Sequence, residues 1–251
     1  MDEEQKPSKI MPNTSSSNNN SKNNTKDGIC FGDFFEAWLA KQKSYLEQLN
    51  EIHEEEAELG SLVERVVSHY QNYYETKSKA ASENVCLLFS PPWLSSFERT
   101  LLWITGFQPG LAFQILDTSV GDDGELTAKQ VEKIKRLKAE MRVTEKALSN
   151  EMASIQESIG GDSWVKIAKR IDTQIVLDKE VDKVMETMIQ GKLRDLVENA
   201  DFLRANTARE LINVLSPVQA AKFLAATARL QLGIHAWGLQ RDADRMPSSS
   251  F

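Results

Sequence analysis

The chain has 251 residues with a formal net charge of −7 at pH 7, and 41% of its residues are hydrophobic. This length allows one or two domains with a substantial core, and the negative charge argues against a general attraction to nucleic acid. The sequence contains no apolar stretch long enough to span a membrane, and its two cysteines are too few for a disulfide framework, which favours a reducing compartment.

The first predicted element is a polar tail, residues 1–28, in which Ser, Asn and Thr fill almost every position from Thr14 to Thr25. Because no apolar side chain there could offset the entropy lost on ordering, we expect this tail to be disordered. A phosphorylated or partner-binding arm is the functional alternative. A second flexible tail is expected at residues 244–251, which leaves a single domain at residues 29–243.

From Phe31 onward the apolar residues recur at steps of three and four, which is the period of an amphipathic α-helix. Two helices are predicted before Tyr74, or one helix that bends near Gly60. A short helix is then expected from Leu111 to Asp117. No alternation of polar and apolar residues convincingly predicts a strand.

Two capping boxes mark the starts of later helices. Thr127 with Gln130 opens a long helix that is predicted to end near Ser158, Ser216 with Gln219 opens the last helix, and another helix is expected between the two. In the long helix every seventh residue is apolar: Ile134, Met141, Leu148 and Ile155. Interruptions beside this stripe favour packing within a bundle over a long coiled coil. The chain is therefore predicted to be all-α, a single bundle of about six to nine helices with a disordered N-terminal tail.

The segment from Ser90 to Pro109 is the richest in aromatic and proline residues, with two of the five tryptophans and three of the seven prolines. A solvated loop has no need of so much apolar surface, so we expect this segment to pack into the helical core. Its aromatic residues are equally candidates for the lining of a ligand pocket: Trp93, Phe97, Trp103 and Phe107.

Residue patterns of catalytic and metal sites are missing from the sequence. The three histidines do not stand at metal-ligand spacings, and neither a glycine-rich phosphate loop nor a nucleophile elbow occurs. We therefore expect neither an enzyme nor a metal site. His235, close to Trp237, is either a haem ligand or a hydrogen-bonded packing residue.

A basic amphipathic helix provides the first candidate partner surface. Lys133, Arg136 and Arg142 lie on it with apolar residues behind them. Such a helix either docks into the groove of a partner or onto phosphates, or forms the solvated outer face of a bundle.

A second candidate partner surface consists of Asp201 and Arg204, which are three residues apart and so share one helix face. The alternative is that these two residues form structural ion pairs that fix the register of the helices. In that case Glu98 and Arg99 are the expected partners across the bundle.

Several segments together resemble a plant family. The spacing Trp-x4-Glu-Arg-x3-Trp-x2-Gly-Phe-x-Pro runs from Trp93 to Pro109, and further matching segments are Ala200–Thr207, Leu215–Leu224 and His235–Gly238. In order and spacing they are similar to the domain that the delay-of-germination seed dormancy proteins share with the C-terminal half of TGA-type bZIP transcription factors. The resemblance extends over roughly Phe31 to Arg241.

The resemblance implies a plant regulatory protein linked to transcriptional control, seed dormancy and abscisic acid signalling. Such a protein would act in the nucleus or the cytoplasm through contacts with regulatory proteins such as phosphatases or transcription factors. The basic region and leucine zipper of the TGA-type factors have no counterpart in the Asn/Ser-rich segment. Direct sequence-specific DNA binding is therefore not expected, and neither is a membrane contact.

The resemblance also implies two small ligands, so a ligand-binding sensor is the alternative function. Members of the dormancy type bind haem through two histidines four residues apart in the last helix, and these positions correspond to Gln231 and His235 here. TGA-type domains hold a fatty acyl chain inside the bundle, where the aromatic residues between Trp93 and Phe107 would line its site.

Overall fold

A computed structural model describes four ranges of the chain, residues 30–51, 56–121, 126–158 and 179–245. Among these residues the regular elements are seven α-helices and one π-helical turn, and the β pairing is limited to an isolated bridge between Trp103 and Gly106. The predicted all-α class is therefore confirmed, and the number of described helices lies within the predicted range. The tail predicted at residues 1–28 lies outside the described residues, as does the 246–251 part of the second tail.

The helices are, in chain order, α1 (Phe31–Asn50), α2 (Glu56–Phe89), α3 (Ser96–Thr100), α4 (Leu111–Leu116), α5 (Ala128–Ser158), α6 (Lys179–Val214) and α7 (Pro217–Arg245). The π-helical turn, Asp117–Gly121, follows α4 directly. Because α7 continues to Arg245, it extends two residues beyond the predicted domain boundary at residue 243. None of the described helices is long and apolar enough to cross a membrane.

Both predicted capping boxes form. The amide of Thr127 donates to Gln130 Oε1 at 2.9 Å, and the amide of Gln130 donates to Thr127 Oγ1 at 3.3 Å. Ser216 and Gln219 make the equivalent pair at 2.9 and 3.3 Å. Gln130 Nε2 also donates to the carbonyl of Val214 at 2.9 Å and to Gln219 Oε1 at 2.8 Å. The start of α5 is thus joined to the end of α6 and to the start of α7, where backbone groups have no partners within their helices.

The seven-residue stripe of α5 is its buried face: Ile134, Met141, Leu148 and Ile155. This face packs against α6, in which Leu196, Val197 and Leu211 are almost fully buried. Lys138 lies beside the stripe without entering the core, and its ammonium is 3.9 Å from the Asp117 carboxylate. The helix therefore packs within a bundle, as the interrupted stripe predicts.

The two helices predicted before Tyr74 are confirmed as α1 and α2, and the alternative, one helix bent near Gly60, is not what the described residues form. Gly60 lies inside α2, next to the buried Leu59 and Leu62, which hold this part of the helix against the core. The backbone departs from helical angles at Asn84 instead, where φ is −156° and ψ is 90°. The link between α1 and α2 includes residues 52–55, which are outside the described residues.

The core consists of two clusters. The larger cluster joins residues of α1, α2, α4, α5, α6 and α7, and the smaller one is mainly aromatic and is formed by the first half of α1. In the smaller cluster Phe31 packs against Tyr73 of α2 and against Trp93, with ring centroids 6.0 and 4.9 Å apart. Trp93 also packs against the larger cluster, so the segment after α2 lies where the two clusters meet.

Candidate functional site

The segment after α2 begins with a third capping box, which was not predicted. The amide of Ser95 donates to Glu98 Oε2 at 2.8 Å, and the amide of Glu98 donates to Ser95 Oγ at 3.3 Å. This box starts α3 directly after the turn at Pro91 and Pro92. The Ser-x-x-Glu spacing was the available signal, but the helix that it opens has five residues, so no helical period supports it.

Ser96 and Phe97, the two residues between Ser95 and Glu98, hold α3 against the last helix, α7. The amide of Ser96 donates to Asp242 Oδ2 at 2.7 Å, and the Ser96 hydroxyl donates to the other oxygen of the same carboxylate. These hydrogen bonds lower the pKa of Asp242. The rings of Phe97 and Trp237 meet edge to face, with centroids 4.5 Å apart. Polar and aromatic contacts therefore hold the same turn of α3 against α7.

Buried contacts beneath these residues complete the junction. Both carboxylate oxygens of Glu98 lie 3.0 Å from His235 Nδ1, and the His235 ring meets Phe35 edge to face at 5.7 Å. Ser95 faces Gly238, at which any Cβ would overlap Ser95 Oγ. His235 is thus a hydrogen-bonded packing residue, and glycine at position 238 allows α3 to approach α7.

A buried cluster of three charged residues, which we call the turn clamp, holds the turn after α3: Lys77, Asp201 and Arg204. Ile104 and Thr105 in this turn have positive φ angles of 41° and 60°, which residues other than glycine rarely adopt. Arg204 donates from Nη2 to the Ile104 carbonyl at 3.1 Å and from Nε to the Phe107 carbonyl at 2.7 Å. Lys77 Nζ donates to the Thr105 carbonyl at 2.9 Å. The clamp therefore satisfies carbonyl groups that a buried turn would leave without partners.

The turn clamp holds two cations on one carboxylate. Asp201 Oδ1 accepts from Lys77 Nζ at 2.9 Å and from Arg204 Nη1 at 2.7 Å. Burial lowers the pKa of Lys77, and the neighbouring Asp201 carboxylate opposes that shift. A Cβ at Gly106 would lie 2.8 Å from Arg204 Cζ, so the guanidinium requires glycine at that position.

The turn clamp corrects one predicted partner surface. Asp201 and Arg204 are buried, and their charged groups face each other and the turn rather than solvent. With 7% and 8% of their surface exposed, they offer little contact area to a protein partner. The structural alternative, ion pairs within the bundle, is correct, although Lys77 is the third member and Glu98 bonds His235 instead.

A cavity of about 380 Å³ lies beside the turn clamp, whose three residues line it. Its apolar wall combines aliphatic residues with aromatic ones, which include Phe35, Tyr73, Phe107 and Phe223. Burial raises the pKa of the Tyr73 phenol further above neutral pH. Thr105 also lines the cavity, and its Oγ1 is buried without a hydrogen-bond partner in the described part of the chain. The space suits an apolar ligand with a polar end.

Of the four predicted pocket residues, only Phe107 lines this cavity. Trp93 is half-buried and packs against Phe31, and Phe97 packs against α7. Trp103 is also half-buried. Its indole nitrogen donates to Ser149 Oγ on α5 at 3.0 Å, and the Arg204 guanidinium lies 5.2 Å from its ring centroid. These three rings contact neighbouring helices and do not line the cavity.

The described residues do not fit a haem that is held by two axial histidines. Gln231 occupies the first implied ligand position and lines the cavity, whereas His235 does not line it. The His235 Nδ1 is occupied by the Glu98 carboxylate. No cluster of three or more side chains suited to a metal ion occurs within the described ranges.

The basic residues of α5 lie on the outside of the bundle. Lys133, Arg136 and Arg142 are exposed, whereas Met141 between them points into the core. Arg136 lies 3.6 Å from the Glu140 carboxylate in an exposed pair. Val143 beside Arg142 is 72% exposed, which is unusual for a β-branched apolar residue. These exposed residues extend around the solvent side of α5, because Lys133 and Arg142 are nine residues apart and so lie on either side of the buried stripe. This surface, which we call the basic face of α5, remains a candidate partner surface.

Comparisons with known proteins agree with the resemblance seen in the sequence. A family model described as "DOG1: Seed dormancy control" matches residues 42–118, which include the C-terminal part of α1 and all of α2, α3 and α4. Protein ZW2 of Arabidopsis thaliana is 33% identical over 86% of this chain and 99% of its own length. Protein RESPONSE TO ABA AND SALT 1 of the same plant is 31% identical over 94% of this chain and 100% of its own length.

Transcription factor TGA2.3 of Oryza sativa subsp. japonica is more distant, at 26% identity over 78% of this chain and 60% of its own length. Its match shows that the TGA-type factors are relatives over part of their length. The nearly full-length matches to the two Arabidopsis proteins show that this chain belongs to the plant seed dormancy control family, DOG1.

Proposed function

We propose that this protein is a regulatory protein linked to transcription, seed dormancy and abscisic acid signalling, and that it acts by binding other proteins in the nucleus or cytoplasm. The observation that carries this proposal is the match to Protein RESPONSE TO ABA AND SALT 1, which covers 94% of this chain and all of that relative. Phosphatases and transcription factors are the partner classes that we favour. Catalysis is not part of the proposal. The domain would extend from residue 29 to Arg245, between two tails.

The basic face of α5 supports a role in protein contacts. Lys133 and Arg142 are exposed, and neither belongs to an ion pair within the described ranges. Val143 adds exposed apolar surface next to Arg142. Because the whole chain carries a net charge of −7, this face is a local exception that favours an acidic partner surface over a basic one.

The proposal is tested by reversing charge on this face. Lys133→Glu with Arg142→Glu should leave the helical circular dichroism spectrum unchanged and abolish rescue of dormancy in a plant line that lacks the protein. Lys43→Glu with Lys79→Glu, two exposed positions on α1 and α2, is the matched control and should rescue. Full rescue by the α5 variant would contradict a partner role for this face.

We also propose that the chain does not bind a specific DNA duplex directly. The net charge of −7 repels the phosphate backbone, and the basic face of α5 is too small to compensate for it. The match to TGA2.3 covers 60% of that factor, so its DNA binding is not transferred to this chain. A sequence-selective gel shift at physiological salt and nanomolar protein would contradict this expectation.

A ligand-binding sensor is the second candidate function, and the cavity beside the turn clamp favours it. A fatty acyl chain suits the apolar wall, and the unpartnered Thr105 hydroxyl could meet its polar end. Haem is less well supported because Gln231 replaces one axial histidine. Extraction and mass spectrometry of protein from its native source would identify a stoichiometric ligand. Its absence, with protein partners present, would favour the adaptor role alone.

A further inference from the structure

A separate groove of about 640 Å³ runs between α1 and α2. Its lining residues recur at steps of three and four along both helices, so one face of each helix forms a wall. The aromatic part of the lining consists of Phe34, Trp38, Tyr45 and His69. The polar part consists of Lys41, Ser61, Glu64, Arg65, Ser68 and Asn72.

The His69 side chain is fixed in this groove with one polar atom unsatisfied. The residue is 6% exposed, and its Nε2 is buried without a hydrogen-bond partner in the described part of the chain. The imidazole stacks on Trp38, with centroids 4.6 Å apart and an angle of 6° between the planes. The Trp38 indole donates to the backbone carbonyl of His69 at 3.1 Å. A buried polar atom without a partner destabilises the fold, and a ligand in the groove would remove that penalty.

The charges around the groove select the chemistry of the ligand. Burial and the nearby Lys41 lower the pKa of His69 to about 4, so the ring is neutral at physiological pH and can donate one hydrogen. Lys41 and Arg65 are exposed at the rim, and neither forms an ion pair within the described ranges. Glu64 is the carboxylate among the lining residues, which leaves a net positive charge. Two cations and a neutral donor favour an anion rich in acceptor oxygens.

We propose that the α1–α2 groove binds a phosphate monoester, with the phosphate on Lys41, Arg65 and His69 and the organic part over the aromatic residues. The groove is much larger than a phosphate group, so the organic part is needed to fill it. Phosphate oxygens would accept from both cations and from the His69 Nε2 hydrogen. This site is independent of the basic face of α5, so failure of one proposal does not affect the other.

Titration calorimetry with phenyl phosphate and with inorganic phosphate tests the site. Phenyl phosphate should bind more tightly, because its ring lies on the aromatic residues. Lys41→Gln and Arg65→Gln should each weaken binding about tenfold or more, as expected for the loss of a charge-assisted contact. Lys43→Gln and Lys79→Gln are exposed on the same helices but outside the groove, and they should bind like the wild type.

His69→Phe gives a second test, since it keeps a stacking ring and removes the unpartnered nitrogen. It should also weaken phenyl phosphate binding about tenfold; if this variant does not fold, the two rim variants decide. A phosphotyrosine peptide that binds more tightly than phenyl phosphate would identify a phosphorylated protein as the source, and equal affinities would identify a free monoester. No saturable binding at millimolar phenyl phosphate, or equal affinity in the rim and control variants, would overturn the proposal.

Discussion

The turn clamp and the basic face of α5 are both groups of charged residues on helices, but they occupy opposite environments. Asp201 and Arg204 are buried, and their charged groups are satisfied by each other, by Lys77 and by backbone carbonyls. Lys133 and Arg142 are exposed, and they belong to no ion pair within the described ranges. Charged residues on helices thus stabilise the fold in the turn clamp, whereas on α5 they are exposed to solvent.

The difference follows from the cost of removing a charge from water. A buried ion without partners destabilises a protein by several kcal/mol, so each member of the turn clamp must keep its partners. An exposed charge loses little solvation, and deleting it changes stability by a few tenths of a kcal/mol. Substitutions in the two regions should therefore separate folding from partner binding.

The largest effect is expected at Arg204. Arg204→Ala leaves Asp201 with Lys77 alone and removes the donors to the Ile104 and Phe107 carbonyls. The free energy of unfolding should fall by about 3–5 kcal/mol in urea denaturation. Arg204→Lys should recover only part of this loss, because an ammonium cannot reproduce the planar set of donors. A wild-type denaturation midpoint for Arg204→Ala would show that the clamp does not hold the turn.

His69 is a buried titratable residue that, unlike the members of the turn clamp, has no opposite charge beside it within the described ranges. Its pKa falls from 6.5 to about 4 on folding, so the unfolded chain binds more protons between those pH values. The free energy of unfolding should therefore decrease as the pH falls through this window, by at most about 3 kcal/mol. His69→Phe should remove this part of the pH dependence. Parallel curves for the variant and the wild type between pH 7 and 4 would contradict it.

Two glycines of α7 form a matched pair for the junction with α3. A Cβ at Gly238 would overlap the Ser95 hydroxyl, whereas a Cβ at Gly233 would have open space around it in the described part of the chain. Gly238→Ala should lower the free energy of unfolding by about 1–3 kcal/mol through overpacking. Gly233→Ala should raise it by about 0.4–1 kcal/mol, because alanine favours the helix. Equal thermal midpoints for the two variants would show that α3 does not approach α7 this closely.

The smallest effect is expected on the basic face of α5. Arg142→Ala should leave the free energy of unfolding within about 0.5 kcal/mol of the wild type, since the side chain is exposed. Chemical denaturation under the conditions used for Arg204→Ala provides the direct comparison. A loss above about 2 kcal/mol would place Arg142 in a structural network like that of the turn clamp.

Local patterns predicted the helices well. The capping boxes at Thr127 and Ser216 and the seven-residue stripe of α5 depend on neighbouring residues alone, and all of them form. The capping box at Ser95 has the same local signal, but the five-residue helix after it gives no period to support the prediction. The irregular point at Asn84 has no glycine or proline to mark it.

The candidate site was harder to predict, because it depends on where helices meet. Lys77 is one of two lysines on α2, and nothing local distinguishes it from the exposed Lys79 until α6 brings Asp201 to 2.9 Å. The aromatic residues of the Ser90–Pro109 segment were predicted either to pack in the core or to line a pocket, and of the four candidates Phe107 lines the cavity. Which ring faces the cavity is set by the turn at Ile104 and Thr105, whose positive φ angles no local sequence pattern indicates.

The most direct test measures folding and function on the same two variants. Unfolding free energy and rescue of dormancy would be determined for Arg204→Ala and for Lys133→Glu with Arg142→Glu. We expect the first variant to fail in both because the fold is weakened, and the second to keep its stability within about 1 kcal/mol while failing to rescue. A stable charge-reversed protein that restores dormancy fully would contradict the assignment of partner binding to the basic face of α5.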